Sequence, residues 1–340
     1  LSLNSVSIIE VDNKMSLKVI WQHLCCLFIF GTVFKGAHWA YCALKTAKKL
    51  CKENQYDAII TKNSPSELLG SYFKKKKGYK WIATWNDPYP TKKYPKPYGN
   101  GVTAKLFILE SPLLNLMEKA DYHIFPNQRI RDYMRSYLNI PSEKTRIIPH
   151  VVIPREHHDT PHENLRIVHL GNLLPPRDAT PFLRALTEFN KNEKDAKLEI
   201  AFIGQTPQSV KDFVNTNHLE KYVKIFPPVK YKESQQILES YDIQLIVEAP
   251  CEEGIFLPTK VSDSMQLGKP IFTISPSVGV LNDLYKQGHI SYFSSVQNEK
   301  NILSTLRQIY KDFTNGKIKS FSLEKSYSPR TIVQQYNEII

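Results

Sequence analysis

The chain has 340 residues, 41% of them hydrophobic and 11% aromatic, which is enough for two domains with substantial cores and excludes a largely disordered or low-complexity chain. Its formal charge of +12, carried mostly by lysines such as Lys74 to Lys77, Lys92 and Lys93, suits phosphorylated ligands, an anionic membrane surface or nucleic acid. The five cysteines form no C-x-x-C pair and the ten histidines lack metal spacing, so no structural zinc or other resident metal is expected, and the thiols fit a reducing cytosolic compartment.

The opening from Leu1 shows no signal-peptide pattern and does not read as a native start. Residues 24–34 are apolar but too short to span a bilayer, with His23 and Lys35 at their ends. They read as a buried helix, with an interfacial membrane contact as the alternative. Residues 56–61 form a buried strand pattern. A helix should follow, with Ser64 as its N-cap, Pro65 in its first position and Glu67 completing a capping box. Residues 81–84 are the next strand, closed by Asp87 and Pro88, and 89–101 form a loop rich in Pro, Gly, Lys and Tyr. An amphipathic helix is expected over 105–119, with Leu106, Ile108, Leu109, Leu113, Leu114 and Leu116 inward. Short strands at 121–125 and 146–149 complete an alternation that implies a parallel sheet with helices on its faces.

The polar stretch 152–164, with His157, His158 and His162, reads as an interdomain linker. A second α/β series follows it. Its strands are expected at 165–170, 198–203, 223–226, 243–247 and 270–274. Its helices are expected near 178–190, 208–217, 232–240 and 302–313, with a last one over 329–340.

The most informative stretch lies between the last two of those strands. The apolar run 243–247 feeds a loop with Glu248, Glu252, Glu253 and Gly254. Pro258 then opens a short helix carrying Lys260 and Asp263, with Val261, Met265 and Leu267 on its apolar side, and Gly268 ends it. A helix N-terminus has unpaired N–H groups and partial positive charge, which suits a phosphate. Lys260 in the first turn adds a point charge, and Asp263 one turn on is placed to accept from a ribose diol. An ordinary βαβ connection with surface charges is the plainer reading.

The pattern P-x-K-x-x-D-x-M-x-x-G-K-P over 258–270, after an acidic Gly-containing loop, resembles the nucleotide-sugar segment of GT-B glycosyltransferases, and more narrowly the retaining family 4 and its bacterial surface-polysaccharide relatives. In that family a Glu usually stands where Asp263 stands and binds the ribose. An earlier Glu, eight residues upstream, contacts the donor sugar. Ile255 holds that place here, which leaves Glu252 and Glu253 as candidates for sugar contacts. The strand ending at Gly171, followed by Asn172 and Arg177, resembles the family's first donor-side loop, in which a basic residue meets the diphosphate. Arg177 matches that position, whereas Asn172 stands where many members have a second Arg. Gly204 closes a strand as in the family, where the next loop lies near the base, and Tyr231 opens a helix where the family has a similar aromatic or polar residue.

The resemblance implies an α/β chain of two Rossmann-like domains. The acceptor-side domain is 1–151, without a recognisable first strand and Gly-rich turn. A linker follows at 152–164, then a nucleotide-sugar domain at 165–325, and residues 326–340 cross back to the first domain. It also implies a retaining glycosyltransferase that uses a UDP- or GDP-sugar and a glycan or lipid-linked acceptor in surface-polysaccharide synthesis. Arg177, Lys260 and Glu253 are the catalytic candidates. Gly171, Asn172, Arg177, Gly204, Glu252, Lys260 and Asp263 are the donor-binding ones. No D-x-D motif is present to hold a metal, so none is expected. The lysines favour a cytoplasmic protein, peripheral on the inner face of an anionic membrane. Nucleic acid is not an expected partner, since the basic stretch sits in a Pro-broken loop without a recognised module. A sugar-nucleotide epimerase of the same fold and a non-catalytic membrane-docked binding protein are the rival readings.

Overall fold

The computed structural model describes residues 8–11, 18–31, 37–106, 111–156, 162–193, 195–319 and 325–340. Several expectations from sequence lie outside these residues: Lys35 and the end of the apolar run before it, Ile108 and Leu109, and His157 and His158. The chain divides into two compact units. One comprises Leu1–Lys93, Val102–Ile147 and Tyr336–Ile340, the other Tyr94–Gly101 and Ile148–Gln335.

The first unit holds a parallel sheet of β1 (Ala58–Lys62), β2 (Lys80–Thr84), β3 (Tyr122–Phe125) and β4 (Thr145–Ile147), in chain order. Its helices are α1 (Lys18–Phe30), α2 (Ala37–Glu53), α3 (Glu67–Lys77), α4 (Ser111–Met117) and α5 (Gln128–Arg135). Trp81, Ala83, Trp85 and Phe125 of the sheet region pack with Leu68 and Phe73 of α3, Leu113 and Met117 of α4 and Ile130 of α5. At the far end, Lys80 Nζ donates to the carbonyl of Ile340 at 2.7 Å.

Three local expectations are corrected here. Helix α1 is not buried: Cys26 and Phe30 reach the core, but Trp21 is 66% and Phe28 87% exposed. The capping box does not form, because α3 starts at Glu67, and the Ser66 hydroxyl turns back to donate to Asn63 O at 2.6 Å while accepting from Lys62 N at 2.9 Å. The turn is thus closed by Ser66, and Glu67, expected to cap, is wholly buried. Helix α4 is shorter than its apolar pattern, since Leu106 precedes it without helical structure.

The second unit holds a six-stranded parallel sheet in the order β10-β9-β8-β5-β6-β7. The strands are β5 (Leu165–Leu170), β6 (Leu198–Ile203), β7 (Val223–Phe226), β8 (Ile243–Val247), β9 (Ile271–Ser275) and β10 (Tyr292–Ser295). The helices between and after them are α6 (Thr180–Asn192), α7 (Gln208–Thr216), α8 (Tyr231–Glu239), α9 (Thr259–Gln266), α10 (Val280–Lys286), α11 (Glu299–Thr314) and α12 (Pro329–Asn337). Strands covered on both faces read as near-continuous apolar runs, and β5 shows why. Leu165 and Ile167 face a core with α6 and α11, whereas Val168 and Leu170 face a second cluster with Leu238 and Tyr241. Strand β10 and helix α10 have no counterpart in the sequence reading. Residues 152–156 are no free linker: Val152 is fully buried with its N–H on Tyr327 O at 3.0 Å, and Arg155 N donates to Gln266 O at 2.7 Å.

Candidate functional site

The topology of the second sheet fixes where a ligand can sit. The chain runs outward from β5 through β6 and β7, then returns to the other side of β5 with β8. At such a reversal the loops after the two central strands leave in opposite directions and open a crevice beyond the strand ends. Gly171 follows β5 and Glu248 follows β8, so both stand at that switch point.

Two glycines let the backbone close up there. Gly204, after β6, has φ +142°, and a Cβ on it would lie 2.4 Å from Gly171 O. Gly171 has φ +103°, and a Cβ on it would meet the Lys260 side chain, 2.9 Å from Cε. Lys260, in the first turn of α9, therefore lies across the bare Cα of Gly171. Its Nζ is 3.4 Å from Nε2 of His169, which is buried inside β5. His169 Nδ1 lies 3.1 Å from the Leu245 carbonyl and donates to it, which leaves Nε2 as a lone-pair acceptor toward the ammonium. Burial and the neighbouring Lys260 charge hold the His169 pKa well below its ordinary value, so the ring is neutral. Burial, with the nearby Arg177 charge, also lowers the Lys260 pKa to about 8, while Glu248 and Asp263 offset part of the effect.

Arg177 enters the same cluster from the loop after β5. Its Nε donates to Glu248 Oε1 at 3.2 Å, and its guanidinium carbon stands 5.4 Å over the Tyr98 ring. Burial alone would lower the Arg177 pKa, but the Glu248 carboxylate and Tyr98 together more than reverse that, and the group stays charged. Asp263 lies one turn after Lys260 and accepts from the Tyr231 hydroxyl at 2.9 Å. Burial raises its pKa, and the hydrogen bonds from Tyr231 and Gln235 counter that in part. Asn172 ties two loops together, its Oδ1 accepting from Gln205 N at 3.0 Å. Beyond Gly204 a hollow of about 690 Å³ is lined by Gln205, Thr206, Lys211, Phe226 and Pro227.

The structure thus brings together Gly171, Gly204, Arg177, Lys260 and Asp263. Glu252 is exposed and Glu253 half-buried on the loop before α9. The carboxylate paired with Arg177 is that of Glu248, named in the acidic loop but not singled out there. His169 was also missed, although a lone His in an apolar strand just before Gly171 was its signal. Tyr98 carried no signal at all, because it lies in a loop 150 residues from its partner. Among the described residues no cluster of His, Cys, Asp and Glu is arranged to hold a metal, and no helix is long and apolar enough to cross a membrane.

Residues 27–156 match the sequence family described as Glycosyltransferase Family 4. The fold is that of GT-B glycosyltransferases. Its two parallel α/β sheets are similar to those of HepE from Anabaena in complex with UDP-glucose, at 15% identity and TM-score 0.63 over 89% of this chain and 81% of that one. A sucrose-phosphate synthase from Thermosynechococcus elongatus gives 14% identity and TM-score 0.62 over 87% and 76%. The lipopolysaccharide outer core galactosyltransferase WaaB in its apo form gives 13% and 0.58 over 88% and 79%. No curated protein matches the chain.

Proposed function

We propose that the protein is a glycosyltransferase that moves a sugar from a UDP- or GDP-sugar to a glycan or lipid-linked acceptor, with retention at the anomeric carbon, in surface-polysaccharide synthesis. The observation that carries the donor reading is that Lys260 lies across side-chain-free Gly171 at the β5/β8 switch point, with the Arg177 charge near enough to lower its pKa. Negative charge builds on the diphosphate as the glycosidic bond breaks, and two fixed cations beside the N-terminus of α9 stabilise it. A guanidinium grips two phosphate oxygens at once, and the lysine adds a point charge. These residues supply that stabilisation without a metal, and the departing phosphate takes the acceptor proton. Asp263 binds the ribose in exchange for its Tyr231 bond, Asn172 lines the turn, the base fills the hollow beyond Gly204, and Glu252 and Glu253 reach the sugar hydroxyls. The UDP-glucose bound by HepE supports a nucleotide-sugar donor.

The reading also places the protein at the inner face of a membrane. Helix α1 exposes Ile20, Trp21 and Phe28, and α2 exposes Lys45, Lys48, Lys49 and Lys52 at helical spacing. An apolar stripe that includes Trp beside a basic stripe suits an anionic bilayer, and co-sedimentation with anionic but not neutral vesicles checks it.

The donor reading is tested by melting the protein with UDP, GDP, ADP and their sugars, then repeating the assay and the transfer kinetics on Arg177→Ala and Lys260→Ala. Each variant is expected to lose roughly 100-fold or more in kcat/KM, in line with the removal of one preorganised donor to a developing anion. Folded variants with near-normal rates overturn the assignment, and isomerised donor formed without acceptor favours an epimerase.

A further inference from the structure

Residues 94–101 group with the second unit although the chain on either side belongs to the first. The excursion closes on itself, Gly101 N donating to Tyr94 O at 2.8 Å. Tyr94 and Tyr98 both pack on Phe256, with ring centroids 5.3 and 5.0 Å away. The Tyr98 hydroxyl donates to Glu248 Oε2 at 2.5 Å and accepts from Ala249 N at 3.1 Å. The other Glu248 oxygen takes Arg177 Nε, and the Arg177 guanidinium lies over the Tyr98 ring. One tyrosine therefore touches Arg177 twice, directly through its face and indirectly through Glu248.

We propose that Tyr98 is a positioning residue for the donor diphosphate: it fixes the Arg177 guanidinium in the plane that grips phosphate. The proposal rests on the reading of Arg177 as a phosphate ligand. An arginine held through Nε and along one face keeps its Nη donors for two phosphate oxygens. A free arginine side chain must be ordered at binding, at a cost in affinity, and a pre-set one is not. Glu248 also offsets the repulsion between Arg177 and Lys260, and the hydroxyl of Tyr98 keeps that carboxylate in place.

The test is a double-mutant cycle read as nucleotide affinity by calorimetry, using whichever of UDP and GDP stabilises the wild type more. Tyr98→Ala is expected to weaken binding about tenfold through loss of the cation–π face and the tether, and Tyr98→Phe about threefold. Donor KM should rise more than kcat falls, since the effect is on diphosphate binding. In an Arg177→Ala background, Tyr98→Ala should change affinity by less than about twofold, because coupled residues are not additive. Fully additive losses, or wild-type affinity in both Tyr98 variants while Arg177→Ala binds weakly, overturn this inference alone. Wild-type affinity in Arg177→Ala, or no binding by the wild type, overturns the reading it rests on as well. If Tyr98→Ala melts below the assay temperature, Tyr98→Phe, which keeps the ring on Phe256, decides between these outcomes.

Discussion

The two sheets are built alike and end with different capabilities. In the first unit β1 to β4 lie side by side in chain order, so the described strands contain no reversal. In the second, β8 returns to the far side of β5, and that reversal opens the crevice in which Gly171, Arg177, Glu248 and Lys260 meet. The match to Glycosyltransferase Family 4 covers residues 27–156, mostly in the first unit, whereas the cluster of charges lies in the second. The matched segment and the charge cluster thus lie in different parts of the chain.

The sharpest way to break this comparison is to put a methyl group on a glycine in each unit. Gly204→Ala drives a Cβ to 2.4 Å from a backbone oxygen at φ +142°, whereas Gly78→Ala, at the end of α3, meets nothing within 4 Å at φ +72°. Backbone strain alone costs about 1 kcal/mol, and a clash with rigid backbone adds about 1–3 more. Urea denaturation should therefore show a loss of about 2–4 kcal/mol for Gly204→Ala against about 1 for Gly78→Ala. Only the first should abolish the nucleotide-induced rise in melting temperature. Equal losses would mean that the Gly171–Gly204 approach is not what shapes the site.

A smaller effect is expected from pH. The Lys260 pKa of about 8 means that the ammonium loses its proton as pH rises through that value, and affinity for a diphosphate should fall with it. Loss of one charged contact corresponds to a drop of about tenfold by pH 9.5, and Lys260→Arg should flatten the curve. Stability runs the other way. Between about 8 and the ordinary lysine value of 10.5 the unfolded chain binds more protons, so the ligand-free protein gains stability as pH rises. Affinity and ligand-free stability that fell together over that range would show that Lys260 is not the titrating group.

How much of this was legible in the sequence depended on whether the information was local. Strands β5, β6 and β8 were read at their observed bounds because each is a short run buried on both faces, and β7, an edge strand with Lys224 and Phe226 exposed, was read from its short alternating pattern. Lys260, Asp263 and Arg177 could be singled out as candidates because strand, turn and helix signals bracket them. Ser64 was misread as the cap because Ser64-Pro65-Ser66-Glu67 offers two hydroxyls to one turn, and which of them closes it depends on the carbonyl of Asn63. Helix α1 was misread because an apolar run does not say what will cover it. Glu248 and Tyr98 were missed as a pair because only the folded chain joins positions so far apart.

The smallest effect sits in the first unit, where Glu67 is the counterpart of Lys260. Burial raises its pKa from 4.5 to about 7. Between those values the folded state binds more protons than the unfolded state, so stability falls as pH rises, and the whole penalty is present above about 7. Glu67→Gln removes the charge but keeps a buried polar group, so it should gain only about 1 kcal/mol at pH 8 and nothing near pH 4. The slope contributed by Glu67 is thus opposite in sign to that of Lys260 and lies at lower pH. Saturating UDP should leave the Glu67→Gln difference unchanged, since Arg177, Lys260 and Asp263 all lie in the other unit. Urea midpoints measured across pH with and without UDP read both statements, and a Glu67→Gln gain that vanished on adding nucleotide would show nucleotide binding coupled to the first sheet.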